Sequence, residues 1–132
     1  MESEGLLVRS IYYGAIGQEA AEKLLQRFGR DGSFLLRDSR TMEGAFCLCV
    51  RKTPFVHTYR LLNSADGWYM PESEVPLPRF RTLESLIETY RRAPFTDVSM
   101  PRLTDPLEKT QLQNRLDPGF SYMEMNSNSS VY

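Results

Sequence analysis

Residues 34–39, with the sequence Phe-Leu-Leu-Arg-Asp-Ser, limit what this chain can fold into more than any other stretch. Three consecutive apolar residues are typical of a buried strand, and Arg37 then falls where that pattern predicts burial or half-burial. A guanidinium stays charged at any cellular pH, so it needs an anion there. Asp38 points to the opposite face of a strand, whereas Ser39 shares the face of Arg37. The stretch predicts a phosphate site, with a strand-end arginine paired to a surface carboxylate as the alternative.

Length, charge and cysteine content exclude several classes of protein. The 132 residues allow one domain of about 100 residues and a tail. A formal net charge of -1 argues against nucleic-acid binding. No apolar run is long enough to insert in a membrane, and the first ten residues lack the apolar core of a signal peptide. Cys47 and Cys49 are too constrained to pair with each other, which indicates free thiols and a cytoplasmic location.

Apolar spacing predicts the order of helices and strands. The spacing i, i+3, i+4, i+7 occurs twice, at Ala21, Leu24, Leu25 and Phe28, and at Leu83, Leu86, Ile87 and Tyr90. The predicted elements are an edge strand at 11–14, a helix from Gln18 that Gly29 stops, strands at 33–37, 45–50 and 55–62, a brief apolar piece at 68–70, and a helix capped by Thr82 that ends before Pro94. This order predicts an α+β fold, a central antiparallel sheet with one helix on each face.

The strand at 55–62 and the loop at 40–44 add polar groups near Arg37. Alternation puts His57 and Tyr59 on one face of that strand and Thr58 and Arg60 on the other, so Arg60 is a second projecting cation. The loop begins soon after Arg37. Its backbone N–H groups, with nearby hydroxyls, could close over an anion that Arg37 holds.

Five motifs occur in a familiar order along the chain. They are Tyr-Tyr-Gly at 12–14, Ala-Ala-Glu-Lys-Leu-Leu at 20–25, Gly-Ser-Phe-Leu-Leu-Arg-Asp-Ser at 32–39, Gly-Ala-Phe-Cys-Leu-Cys-Val at 44–50 and His-Thr-Tyr-Arg at 57–60. Residues 11–107 resemble a Src-homology-2 (SH2) domain. The chain most resembles the free-standing adaptors of the SLAM-associated protein family, because the domain starts near residue 1 and a short tail follows. The next most similar group is the SHIP inositol phosphatases, which share the His-Thr-Tyr-Arg strand. We expect an N-terminal segment at 1–10, the domain at 11–107 and a flexible tail with tyrosines at 108–132.

The resemblance implies a phosphotyrosine site and a pocket for the residues that follow the phosphotyrosine. Arg37 matches the arginine that binds two phosphate oxygens, Cys47 a residue of the pocket floor, and Tyr59 the residue between the two pockets. The implied phosphotyrosine site comprises Arg37, Ser39, Arg40, Thr41, Glu43, Cys47 and Arg60. The implied specificity pocket comprises His57, Thr58, Tyr59, Trp68, Tyr69, Ala93 and Phe95. One position departs from the family pattern, because Gln18 stands where the first helix normally offers a basic residue.

Two residues suggest functions beyond binding. Arg81 matches the position through which the SLAM-associated protein contacts the SH3 domain of a Src-family kinase; the alternative is a solvated arginine before a helix. Tyr122 begins a Tyr-Met-Glu-Met sequence in a polar tail. That pattern is favoured by the SH2 domains of the phosphoinositide 3-kinase regulatory subunit, and the alternative is an unused aromatic residue.

The sequence does not predict an enzyme or a cofactor. His57 is the only histidine, which excludes multi-histidine metal sites and leaves no spare base for a nucleophile. Neither cysteine has an arginine six residues later, as a phosphotyrosine phosphatase would require, and no glycine-rich nucleotide loop occurs. We therefore expect a monomeric adaptor that binds phosphotyrosine motifs in receptor tails. The alternatives are a competitive blocker of the same motifs and a targeting module from an inositol phosphatase.

Overall fold

The structure, a computed structural model, describes residues 4–72, 78–92 and 102–115, which form four helices and five strands. In chain order these are α1 (Leu6–Ile11), α2 (Gln18–Phe28), β1 (Ser33–Asp38), β2 (Phe46–Lys52), β3 (Phe55–Ser64), β4 (Gly67–Tyr69), α3 (Leu83–Arg91), β5 (Asp105–Pro106) and α4 (Lys109–Arg115). Within the described ranges, no helix combines the length and the apolar character that crossing a membrane requires.

The strands form one sheet in the order β4-β3-β2-β1-β5. The pairs from β1 to β4 are antiparallel, which confirms the predicted meander, and β5 pairs parallel to β1 over two residues. Helices α2 and α3 pack on opposite faces of this sheet. The predicted α+β fold, with a central sheet between two helices, is therefore confirmed.

Two apolar clusters lie on the two faces of the sheet. The α3-side cluster contains Val8, Ile11, Phe34, Leu36, Leu48, Val50, Tyr59, Leu61, Met70, Leu83, Leu86, Ile87, Tyr90 and Leu103. The α2-side cluster contains Tyr13, Ile16, Ala20, Ala21, Leu24, Leu25, Leu35, Cys47, Cys49, Leu107 and Leu112. Because side chains alternate along a strand, Leu36 faces α3 and Leu35 faces α2, and Arg37 points to the α2 side with Leu35.

The predicted edge strand at 11–14 is correct only in part, because Ile11 is the last residue of α1. Tyr12 forms a parallel bridge opposite Leu36, the Tyr13 N–H donates to the Leu36 carbonyl at 2.8 Å, and the Gly14 carbonyl accepts the Asp38 N–H at 2.9 Å. The Glu84 carboxylate accepts the N–H groups of Leu7 (3.3 Å) and Val8 (2.8 Å) at the start of α1. That carboxylate lies 76 residues from Val8 in the sequence, so no local pattern could reveal it.

The two predicted helices are confirmed as α2 and α3. Helix α2 begins at Gln18 and ends before Gly29, whose N–H donates to the carbonyl of Leu25 at 2.9 Å. Thr82 caps α3 as predicted, because its hydroxyl accepts the N–H of Ser85 at 3.0 Å. The buried Glu4 carboxylate accepts the first two N–H groups of α3, those of Leu83 (2.8 Å) and Glu84 (2.7 Å).

The packed structure extends on both sides of the predicted boundaries at residues 11 and 107. Val8 belongs to the α3-side cluster and Leu112, on α4, to the α2-side cluster. Both side chains are 0% exposed. We therefore propose that the folded unit includes α1 and α4. The remainder of the predicted tail, residues 116–132, lies outside the described residues.

Candidate functional site

Arg37 is a buried arginine near the end of β1. It is 5% exposed, and its Nη1 donates to the carbonyl of Asp38 at 3.2 Å. Its Nε is buried and has no hydrogen-bond partner among the described residues. The Asp38 carboxylate instead accepts the Tyr12 hydroxyl at 2.5 Å. Within the described ranges, no carboxylate lies within 4.0 Å of the Arg37 guanidinium, so the alternative of a surface ion pair is not what the structure shows.

The register of the sheet puts Arg37 and Arg60 on one line across three strands. Arg37 is opposite Cys47 on β2, and Cys47 is opposite Arg60 on β3. Because neighbouring strands lie about 4.8 Å apart, the two arginine Cα atoms are roughly 10 Å apart. Residues on one such line point to the same face of the sheet. The two guanidinium groups can therefore approach one anion from two sides, above Cys47.

These side chains surround a cavity of ≈ 410 Å³ on the α2 side of the sheet. Its lining consists of Gln18, Arg37, Ser39, Arg40, Thr41, Cys47, Thr58, Arg60 and Glu72. Six of the seven residues predicted for the phosphotyrosine site are in this set. The seventh, Glu43, is exposed in the loop at 40–44 and is not among the lining residues.

Gln18, Thr58 and Glu72 also line the cavity, although they are not among the seven residues predicted for the phosphotyrosine site. The family pattern does point to Gln18, because it stands where the first helix normally offers a basic residue toward the phosphate. Thr58 shares the face of Arg60, so strand alternation alone could have placed it here rather than in the specificity pocket. No sequence pattern points to Glu72, because it follows Pro71 in a segment without periodicity.

The loop after β1 is folded by its own polar groups. The Ser39 hydroxyl accepts the N–H of Met42 at 3.2 Å and lies 3.5 Å from the Thr41 hydroxyl. Arg40 donates from Nη1 to the carbonyl of Ala15 at 3.1 Å. These contacts keep two hydroxyls and a third guanidinium at the cavity.

The charges of the cavity favour an anion. Arg37, Arg40 and Arg60 line it, and Glu72 is its one lining carboxylate among the described residues. Beneath Arg37, burial raises the pKa of the Cys49 thiol, although the nearby Arg37 guanidinium opposes this rise. The described residues contain no group of three or more His, Cys, Asp and Glu side chains that could hold a metal ion.

The residues predicted for the specificity pocket divide between the two faces of the sheet. Tyr59 is 7% exposed and belongs to the α3-side cluster, and His57 stacks against it with ring centroids 6.4 Å apart. Both lie on the opposite face from Thr58, whose side chain lines the Arg37 cavity.

The remaining predicted pocket residues lie on β4 or outside the described residues. Trp68 packs at 5.6 Å from the Phe46 ring, and the Arg79 guanidinium lies 3.4 Å from the centre of the Tyr69 ring. Ala93 and Phe95 fall in residues 93–101, outside the described ranges.

Of the two residues predicted to act beyond binding, the structure describes only Arg81. Arg81 is exposed and directly precedes Thr82, the N-cap of α3. Tyr122 lies outside the described residues.

The fold is a sheet between two helices, and the buried Arg37 lines a cavity with a surplus of positive charge. These features are typical of a module that recognises a phosphorylated ligand. A comparison with protein families agrees with this class: the family model described as "SH2 domain" matches residues 11–90. The chain belongs to the SH2 domain family and is a phosphotyrosine-binding module.

Several similar curated proteins are named as phosphatases and are many times longer than this chain. The human phosphatidylinositol 3,4,5-trisphosphate 5-phosphatase 2 is 47% identical over 83 residues, which is 61% of this chain and 7% of that protein. The mouse protein of the same name is 47% identical over 81 residues, covering 60% of this chain and 6% of its own length. The zebrafish phosphatidylinositol 3,4,5-trisphosphate 5-phosphatase 2A is 46% identical over 77 residues, 57% of this chain and 6% of that protein. The matched part thus spans less than a tenth of these relatives.

Proposed function

We propose that this chain is a cytoplasmic adaptor that docks on phosphotyrosine motifs in the tails of SLAM-like immune receptors. There it recruits kinases or blocks other SH2 proteins from the same motifs. The observation that carries the proposal is the buried Arg37, whose Nε has no partner among the described residues and which lines the cationic cavity.

The cavity suits the chemistry of a phosphotyrosine. The phosphate carries close to two negative charges and three acceptor oxygens. Three arginines line the cavity against one lining carboxylate among the described residues, which leaves a surplus of two positive charges. Each charge-assisted hydrogen bond contributes about 1.5–3 kcal/mol. Several such bonds are enough to make binding depend on phosphorylation.

The adaptor would recruit further signalling proteins through the domain surface or through the tail. Arg81 is exposed and is available to an SH3 domain of a Src-family kinase. Tyr122, once phosphorylated, would offer a docking motif to phosphoinositide 3-kinase or to other SH2 proteins. An Arg81→Ala variant should lose SH3 binding while its phosphopeptide affinity stays unchanged.

The second candidate is a targeting module of a SHIP-like inositol phosphatase. The identity of 47% over 83 residues to the human phosphatase favours it. In that case the same site would bring a catalytic region to phosphorylated receptors. The mass of the native polypeptide in cell extracts separates the candidates, because a phosphatase would be many times longer than 132 residues.

The binding proposal is tested by titration of the chain against a degenerate phosphotyrosine peptide library, with the unphosphorylated library beside it. We expect binding that requires phosphate and that selects an aliphatic residue three positions after the tyrosine. Equal binding of both libraries would overturn the proposal, because the cavity would then not anchor the ligand.

A further inference from the structure

Glu72 places a negative charge in a cavity that otherwise suits an anion. Glu72 is one of the residues that line the cavity, together with Arg60. Its two oxygens lie 3.4 and 3.3 Å from the backbone nitrogen of Arg60, whose N–H they accept. Since β4 ends at Tyr69, the side chain of Glu72 occupies the edge of β3 beyond the last paired residue of β4.

The carboxylate of Glu72 does not form an ion pair with the side chain of Arg60. Among the described residues, no contact of 4.0 Å or less joins the two charged groups. Glu72 instead binds the main chain of β3 through the Arg60 N–H, while its residue also lines the cavity. It is also exposed, so it can contact a ligand beyond the phosphate.

Building on the proposed function, we propose that Glu72 determines ligand specificity by charge. It repels the phosphate and so weakens binding of a phosphotyrosine alone. A ligand with Lys or Arg beside the phosphotyrosine pairs with Glu72 and removes that repulsion. A ligand with Asp or Glu there adds to the repulsion. The preferred partners are thus phosphotyrosine motifs with basic flanking residues.

The variant Glu72→Gln tests the charge alone, because glutamine retains an oxygen that can accept the Arg60 N–H. The matched control is Asp66→Asn, which removes one negative charge from the β3–β4 turn, at an exposed position outside the lining of the cavity. A third variant, Glu72→Ala, removes the charge and the hydrogen bond together. The Arg60 amide resonance in NMR spectra reports whether β3 is undisturbed in each variant.

Phenyl phosphate and two phosphopeptide pools, one with lysine and one with glutamate flanking the phosphotyrosine, are the probes. We expect Glu72→Gln to bind phenyl phosphate roughly 3- to 10-fold more tightly than the wild type, and this gain should shrink as salt is added. The wild type and Asp66→Asn should prefer the lysine pool by a similar factor. Glu72→Gln should bind both pools nearly equally.

Two outcomes would overturn the inference while the proposed function stands. One is a Glu72→Gln variant that binds phenyl phosphate no better than Asp66→Asn. The other is weakening by Glu72→Ala without any gain from Glu72→Gln, which would show that Glu72 acts by supporting β3. A wild type that binds no phosphorylated probe would overturn the proposed function itself, and with it the inference.

Discussion

Burial of the Arg37 guanidinium lowers the stability of the free protein, and a bound anion would offset this loss. Removing a guanidinium from water costs several kcal/mol unless its charge is paired. Arg37 is 5% exposed, and its Nε has no partner among the described residues. A bound phosphate dianion would supply both the opposite charge and the missing acceptor. We therefore expect Arg37 to contribute more to ligand binding than to the stability of the free protein.

The first prediction concerns Arg37→Ala. Loss of a bidentate charged contact should weaken phosphopeptide binding by at least about 3 kcal/mol, more than about 100-fold. Isothermal titration with one phosphopeptide selected from the library measures the change. The matched control is Arg9→Ala, which removes an exposed arginine on α1 and should leave the affinity unaltered. Tight binding by Arg37→Ala would refute the assigned role.

The second prediction concerns Gln18, which lines the cavity from α2. A cation at this position adds one more attraction for the phosphate, so Gln18→Arg should tighten phosphopeptide binding by roughly 3- to 10-fold. The control is Gln26→Arg, an exposed position on the same helix that is not among the lining residues. If the two variants behave alike, α2 does not face the phosphate.

At the scale of elements, the strands were more predictable than the short helix α1. Strand alternation assigns Thr58 and Arg60 to one face of β3, since the period of two depends only on local sequence, whereas their alignment with Arg37 required the observed register. Helix α1 depends on Glu84, whose carboxylate accepts the N–H of Val8 across 76 residues of sequence. For the same reason the sequence could not place Glu72 in the cavity, because the end of β4 decides where it lies.

Glu4, just before α1, and Glu84, on α3, each accept N–H groups at the start of the other segment's helix, which gives the third prediction. Glu4 accepts two N–H groups at the start of α3. Glu4→Gln keeps an acceptor but loses the charge that favours a helix N-terminus. The free energy of unfolding should fall by about 1–2 kcal/mol, as measured by urea denaturation. The exposed Glu43→Gln serves as the control and should change stability by less than about 0.5 kcal/mol. Equal stability of the two variants would show that the charge of Glu4 does not contribute to the free energy of unfolding.

We expect the stability of the whole molecule to depend on residues beyond the span that resembles an SH2 domain. Leu112 on α4 is 0% exposed and belongs to the α2-side cluster. Leu112→Ala should lower the free energy of unfolding by about 2–4 kcal/mol, because it leaves a cavity in that cluster. The exposed Thr110→Ala on the same helix is the matched control. If Leu112→Ala costs no more than this control, α4 is not part of the folded unit.

Alkaline pH should also destabilise the whole molecule through Tyr12. Burial, together with the hydrogen bond to Asp38, raises the pKa of Tyr12 from 10.0 to about 12. A raised pKa means that the folded state holds the proton more tightly. Its stabilising effect is complete below pH 10 and is lost as the pH rises towards 12. Urea denaturation across this range should show a steeper loss of stability for the wild type than for Tyr12→Phe. Parallel curves would contradict the assignment.

The two-faced sheet has a consequence for inherited variation. Because Leu36, Leu48 and Leu61 face α3, while Arg37 and Arg60 face the cavity, missense changes should fall into two separable groups. Changes in the first group should lower the amount of protein in the cell and spare docking in the molecules that remain. Changes in the second should leave abundance near normal and abolish docking. Cellular abundance and docking can both be measured for each variant in a mutant collection. Positions that affect docking alone would then identify the binding face without any ligand-bound structure.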